Sequence, residues 1–278
     1  MNYLQTIQEY LKRNVTTHKR ISTWRDFEVF IVDNLIFRFP KKKEKIIDLH
    51  KEKQKIDILK PYISLAIPEY TVVNNMFIVY PLLPGEPLKQ VESSYNDSTI
   101  KQLSEFMCQL HSIPKELFEQ NIQTSPADTD DELTSFLEVL HQNLDKKLSS
   151  HISPQALIWI HRYIQELFFS FSSPLTSFVH TDLQGKNILH IDSNVSWIID
   201  FTDSRIGSTE LDFCYFYDIN QDILWKFIET YRGFRDKEFF ERVFFLARRN
   251  VLFEVYNDNF FESNKILVLK KLQYYNFI

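Results

Sequence analysis

Glycine is scarce in this chain: its 278 residues hold four, Gly85, Gly185, Gly207 and Gly233. Ordinary usage near 7% would supply about 20. No two of the four lie closer than 22 positions. A GxGxxG dinucleotide turn and a GxxxxGK[ST] phosphate loop both need clustered glycines, because only backbone without Cβ atoms approaches phosphates that closely. Both are excluded. Cysteine is scarcer still. Cys108 and Cys214 are too few and too far apart for a zinc cluster or a disulfide framework, and they read as two buried, reduced thiols. No run of about 18 apolar residues occurs, so no segment reads as crossing a membrane. The opening MNYLQTIQEYLKRN has the pattern of an amphipathic helix, not the charged-then-apolar order of a signal peptide. A cytoplasmic location is expected.

What is present suits a globular protein: 44% hydrophobic and 25% charged residues. A compact chain of this size buries about 75% of its unfolded surface. The net charge of −5 conceals a division. Residues 1–82 carry 14 basic and 9 acidic side chains, whereas 83–278 carry 18 and 28. The acidic excess of the second part argues against a nucleic-acid groove there. It suits a cationic small molecule, and it equally suits an ordinary solvated surface.

The first 82 residues mix strand and helix signals. Phe27–Val32 and Leu35–Phe39 are β-branched and aromatic runs separated by an Asp33-Asn34 turn. Lys41–Lys60 carries Ile46, Leu49, Ile56 and Leu59 at helical spacing and stops before Pro61. Tyr70–Val73 and Met76–Tyr80 flank Asn74-Asn75 as two further strands. The result is a small sheet carrying one helix. Pro81, Pro84, Gly85 and Pro87 then read as a linker. Beyond it helices dominate, with apolar stripes at Ile100, Leu103, Phe106, Met107 and Leu110, and at Leu157, Ile160, Ile164, Leu167, Phe168 and Phe171. Short strands are expected at Ser177–His180, Ile188–Ile191 and Val195–Ile199.

The densest polar constellation lies between 180 and 212. It reads HTDLQGKN from His180 to Asn187, then an apolar strand, then IIDFTD from Ile198 to Asp203. H-x-D-x-x-x-x-N followed by Asp-Phe matches the catalytic loop and metal site of kinases. A phosphoryl donor brings several negative charges, which Mg²⁺ bridges through hard oxygen ligands. Asn187 and Asp200 supply such oxygens. A further carboxylate, Asp182, would orient the acceptor hydroxyl and take its proton.

At this point the sequence resembles the aminoglycoside phosphotransferases, small-molecule kinases with a two-lobed protein-kinase-like fold, and among them the 2″-phosphotransferase branch. The resemblance covers nearly the whole chain. It includes Trp24 within Ser22–Phe30, Ile36–Pro40, the LPGEPL run at Leu83–Leu88, Gln109–Ile113, and Ile198–Phe213. It implies an α+β fold, with a small antiparallel-sheet N-lobe (1–82) binding nucleotide and a mainly helical C-lobe (83–278) holding the catalytic loop and the acceptor. It also implies ATP or GTP as donor, Mg²⁺, a monomer, and Asp182 as the catalytic residue, with Asn187 and Asp200 as metal ligands. His180 matches a loop-bracing histidine, and Glu52 the helix glutamate that orients the cationic strand residue. Tyr80, Pro81 and Leu82 match the hinge whose backbone meets the base, and Ile36, Val79, Ile188 and Ile199 are its expected apolar walls. Asp203 and Asp212 match acids that brace the loop or line the acceptor side.

Two departures stand out. The family's phosphate-contacting lysine is here Arg38, whose planar fork also pairs with phosphate. The nucleotide-covering turn, Ser22 to Asp26, lacks glycine, so the hydroxyls of Ser22 and Thr23 are expected to serve there. On the acceptor side the resemblance points to Asp218, Asp222, Glu254 and Asp258 as contacts for ammonium groups. The Asp128–Glu132 acids read as the start of a helix. The implied reaction transfers the γ-phosphoryl group to a hydroxyl of a cationic amino sugar, a route to antibiotic resistance. Two alternatives stay open: a kinase for another small hydroxyl compound (choline, a macrolide or a sugar), and a non-catalytic nucleotide-binding relative.

Overall fold

The computed structural model describes residues 2–21, 27–42, 45–122, 138–141, 143–170, 177–256 and 258–278. Ser22, Thr23 and Trp24, Phe171, and the acids from Asp128 to Glu132 lie outside the described residues, as do the side chains of Phe168 and Asp258.

Five antiparallel strands form the N-terminal sheet in the order β1-β2-β3-β5-β4, comprising β1 (Lys19–Ile21), β2 (Phe27–Val32), β3 (Leu35–Pro40), β4 (Thr71–Val73) and β5 (Phe77–Pro81). The two-residue loop Asp33-Asn34 closes β2 on β3, with Asp33 at φ 53°, a backbone state Asp tolerates in hairpins. Asn74 and Asn75 do the same between β4 and β5, at φ 49° and 52°. Successive strand residues point to opposite faces. Phe30, Phe37, Phe39, Phe77 and Val79 therefore share one face, which packs on Ile7 of helix α1 (Tyr3–Leu11). Phe27, Val29, Ile78 and Tyr80 occupy the other, against Leu49, Ile56 and Leu59 of helix α2 (Ile46–Leu59). Arg38 lies between Phe37 and Phe39 in β3 and so points to the α2 face. Val79 belongs to the α1 face, which corrects its expected place in a nucleotide wall.

The Pro-rich linker is not structureless. Glu86 and Pro87 form β6, pairing with β8 (Ile188–Ile191) through Glu86↔His190 and Pro87↔Leu189. β8 continues into β9 (Asn194–Ile198) through Asp192-Ser193. β7 (Ser177–Val179) pairs with β10 (Arg205–Gly207), a strand absent from the sequence reading, as is β1. Around these short sheets pack helix α3 (Asp97–His111) and the helices Pro154–Ser170, Gln221–Thr230, Phe239–Ala247, Arg249–Tyr256 and Asp258–Tyr274. The α3 stripe from Ile100 to Leu110 is buried, and Asn96 caps the helix by accepting from the Thr99 amide at 3.0 Å. Among the described residues no helix is long and apolar enough to cross a membrane.

One glycine is needed for close approach. A Cβ on Gly185 would stand 2.2 Å from the carbonyl oxygen of Leu88, and the Gly185 amide donates to Gln90 Oε1 at 2.7 Å. Gly185→Ala must therefore push the 182–187 loop away from β6. The expected loss is about 1–3 kcal/mol, read as a lowered urea midpoint with an unchanged slope.

Candidate active site

The chain leaves β7 through His180, Thr181 and Asp182. Thr181 has φ 66°, a left-handed conformation that strains a β-branched residue and persists only when its surroundings fix it. Asp212 fixes it. Its fully buried carboxylate accepts from the amides of His180 (3.0 Å) and Thr181 (2.7 Å) and from His111 Nε2 (2.9 Å). Burial alone would raise its pKa. The hydrogen bond and charge of His111, with His180 nearby, outweigh that and hold it below the usual carboxylate range. His111 Nδ1 lies in hydrogen-bond contact with the Tyr231 hydroxyl at 2.8 Å. His180 bridges two strand ends: Nε2–H donates to the Ile199 carbonyl at 3.1 Å, and Nδ1 accepts the Asp182 amide at 3.3 Å. Both ring nitrogens are thus engaged in bracing the loop.

Asp182 lies at the open side of this brace. Its carboxylate accepts from the Gln184 side-chain amide and from Asn187 Nδ2 at 2.8 Å, with Lys186 Nζ at 3.1 Å. Asn187 Nδ2 also donates to the Asp182 carbonyl at 2.9 Å. Both amide hydrogens of Asn187 therefore face Asp182, and its side-chain oxygen is turned the other way. The Ile199 amide donates to the Asn187 carbonyl at 3.0 Å, which sets Asn187 beside the residue preceding Asp200. Asp200 has φ 67° and accepts from the Thr202 hydroxyl at 2.9 Å. Asp203 completes the group. Desolvation, then repulsion from Asp200 and Asp182, raise its carboxyl above the ordinary range against Lys55 and Arg205. Three carboxylates thus lie close enough to repel one another. Among the described residues no three His, Cys, Asp or Glu side chains form a metal cage of their own. The donor set present, an amide oxygen and carboxylates, fits a hard divalent ion that completes its shell with waters and substrate oxygens.

Behind this group stands a buried ion pair. Arg38 Nη1 meets Glu52 Oε2 at 2.9 Å, with the two side chains 2% and 0% exposed. Arg38 Nη2 donates to the Thr202 hydroxyl at 3.0 Å and stands 3.9 Å from Asp200 Oδ1. Its guanidinium covers the Phe27 ring at 4.1 Å. Burial works against the Arg38 charge, but Glu52, Tyr70, Asp200 and Tyr80 together outweigh it and raise the pKa. Glu52 also accepts from the Tyr70 hydroxyl (3.0 Å), the Phe201 amide (3.2 Å) and the Thr202 hydroxyl (2.9 Å). Lys55, one turn along α2, donates to the carbonyls of Thr202 (2.8 Å) and Phe201 (3.3 Å). Burial pushes its pKa down to about 8, with Glu52 and Asp203 resisting. The sequence reading singled out Glu52 but neither Lys55 nor Thr202.

At the hinge, Tyr80 lies on the α2 face with its ring 4.9 Å from Tyr70. The Leu82 amide donates to the Asn34 carbonyl at 2.7 Å. That amide is engaged within the sheet, and the Leu82 side chain is exposed. By the two-residue alternation of antiparallel pairing, Tyr80 opposite Ile36 also faces β3, and the Pro81 carbonyl is left pointing outward. Ile199 is half-buried, with its own N–H and C=O used by Asn187 and His180.

The acceptor-side acids separate. Asp218 and Glu254 lie together: burial pushes the Asp218 carboxyl up to about 7, with Lys271 and Asn250 opposing and Glu254 adding. Asn250 Nδ2 donates to Asp218 at 3.1 Å, and Lys271 pairs with Glu254 Oε1. Asn250 Oδ1 and Glu254 Oε2 are buried and, among the described residues, receive no hydrogen bond. Tyr215, three residues before Asp218, is held protonated by burial and by the neighbouring Asp182 carboxylate, which raise its pKa. Asp222 is elsewhere. It is exposed in the first turn of Gln221–Thr230 beside the Asn220 cap, where an acid also favours the helix start.

Comparison with known proteins bears on the fold and the family. The profile of the phosphotransferase enzyme family (APH) matches residues 17–239. Among solved structures, the GDP and kanamycin complex of APH(2″)-IIia superposes with TM-score 0.77 at 16% identity, covering 96% of this chain and 97% of that one. Macrolide 2′-phosphotransferase MphH from Brachybacterium faecium gives 0.70 at 16% identity, covering 92% and 91%. The ADP-bound aminoglycoside phosphotransferase APH(2″)-Ib gives 0.66 at 17% identity, covering 90% and 87%. No curated protein matches the sequence. These likenesses carry the kinase-like fold, and the profile carries the membership: the chain belongs to the phosphotransferase enzyme family.

Proposed function

We propose that this phosphotransferase moves the γ-phosphoryl group of ATP or GTP onto a hydroxyl of a cationic amino sugar of the aminoglycoside class. The observation that carries the acceptor assignment is the Asp218–Asn250–Glu254 cluster. Among the described residues, two of its buried oxygens receive no hydrogen bond. Buried acceptors without donors are costly, and an ammonium group of a bound amino sugar would satisfy them. The kanamycin complex of one structural relative is consistent with this reading.

In the reaction, the acceptor hydroxyl gives its proton to Asp182 as its oxygen bonds to the γ-phosphorus. The bond from that phosphorus to the β-bridging oxygen breaks, and the nucleoside diphosphate leaves. Mg²⁺ held by Asn187 and Asp200 would neutralise phosphate charge. Arg38, kept in place by Glu52, contributes a fixed positive charge beside Asp200. Asp203, close to Asp200 and Asp182, is assigned to bracing the loop or lining the acceptor side. The product carries about −2 additional charge where the drug needs positive charge. The lobe boundary is placed at 82/83: Leu82 still hydrogen-bonds to Asn34 of the first sheet, whereas Glu86 already pairs with β8.

Coupled nucleoside diphosphate release, assayed with kanamycin- and gentamicin-type amino sugars, a macrolide and choline, tests the assignment. Stimulation by the amino sugars is expected. Stimulation by the macrolide or choline alone would move the chain to another substrate class, and none by any compound would remove the kinase reading.

The pH dependence follows from Asp218. Below about 7 its carboxyl is protonated and neutral; above that value it is charged and attracts ammonium. From pH 6 to 8 the acceptor KM is expected to fall about tenfold more in the wild type than in Asp218→Asn, the size of one charged hydrogen bond.

A further inference from the structure

α2 grips the turn after β9 from both chemical sides. Glu52 accepts from the Phe201 amide at 3.2 Å and the Thr202 hydroxyl at 2.9 Å. Lys55 donates to the carbonyls of the same two residues, at 3.3 and 2.8 Å. Residues three apart share a helix face, so one turn of α2 presents an anion to the donors of the loop and a cation to its acceptors. The Lys55 residue is 8% exposed. A lysine so deeply buried is unfavourable for folding, and an apolar side chain would fill the site at less cost. Its placement needs a reason other than stability, and the turn it grips is the one that holds Asp200 at φ 67°.

We propose that Lys55 is a positioning residue for phosphoryl transfer: with Glu52 it clamps residues 200–202 to α2 and so sets the direction of the Asp200 carboxylate. The activity consequence rests on the phosphoryl-transfer reading above; the clamp itself does not. Three consequences follow for Lys55→Met. The amides of 198–204 exchange hydrogen faster, by about tenfold, while α3 keeps its wild-type rates. In the coupled assay kcat falls about tenfold with acceptor KM nearly unchanged, and the Mg²⁺ concentration for half-maximal rate rises. The melting temperature does not fall. Lys55→Arg, which keeps a buried donor cation, recovers most of the exchange protection and the rate.

Full-length protein and its variants in hydrogen exchange and in the coupled assay decide the matter, with Lys55→Gln as the second uncharged variant should Lys55→Met not fold. Wild-type exchange at 198–204 in the uncharged variants overturns the clamp. So do wild-type kcat and Mg²⁺ requirement, or a fall in melting temperature with exchange raised throughout the chain, which would mark an ordinary structural lysine. If the wild type turns over no acceptor at all, the proposed function fails, and the exchange measurement still decides whether Lys55 clamps the turn.

Discussion

Asp182→Asn is expected to lower turnover about a thousandfold while nucleotide binding, followed by thermal shift, stays near wild type. The size is that of a positioned general base. The substitution keeps one of the two acceptor oxygens that Asn187 Nδ2 and Gln184 use. The Asn187 bond to the backbone carbonyl of residue 182 is untouched, so the loop loses one hydrogen bond and keeps the others. It removes the charge that orients the acceptor hydroxyl and the basicity that takes its proton. Single-turnover and steady-state rates should fall together, because the lost interaction belongs to the transition state. Turnover within a few fold of wild type would exclude Asp182 as the base.

The second large effect concerns stability. Asp212→Ala leaves the amides of His180 and Thr181 and the Nε2 of His111 without their buried acceptor. Removing one member of such a buried charged network costs about 3–5 kcal/mol. Thr181 at φ 66° also loses what holds it there, so activity should fall with stability. The pH dependence has a definite sign. The folded pKa of Asp212 is depressed, so its contribution is fully present above the unfolded value, about 3.9, and is lost as pH falls through the lower folded value. The gap between wild type and variant in urea melts should be constant from pH 7 to near 4 and shrink below that. A variant within 1 kcal/mol of wild type at pH 7 would show that the brace is dispensable.

Much of this site is legible in the chain because its chemistry fixes both residue type and spacing. His180, Asp182, Asn187 and Asp200 each sit at a strand end, and strand ends are marked by the apolar runs around them. The alternation in β2, β3 and β5 also predicts which side chains share a face, including Arg38 opposite α1. What stayed hidden has physical causes. β1 and β10 are three residues each, too short for any period to emerge, and β6 lies in a proline-rich run that an edge strand tolerates. Lys55 is camouflaged among Lys51 and Lys53 in α2 and Lys60 just past its end; only its register to Glu52 distinguishes it. The left-handed Thr181 contradicts local preference and is imposed by Asp212 from 31 positions away. Asp218 and Asp222 are both acids near helix ends, and burial alone separates them.

The most direct measurement is a crystal structure of the chain with a non-hydrolysable nucleoside triphosphate and Mg²⁺. The account predicts an ion bound by Asn187 Oδ1 and the Asp200 carboxylate, at the roughly 2.1 Å typical of Mg²⁺, with the γ-phosphate facing Asp182. A nucleotide bound in the cleft with its ion touching neither Asn187 nor Asp200 would contradict it.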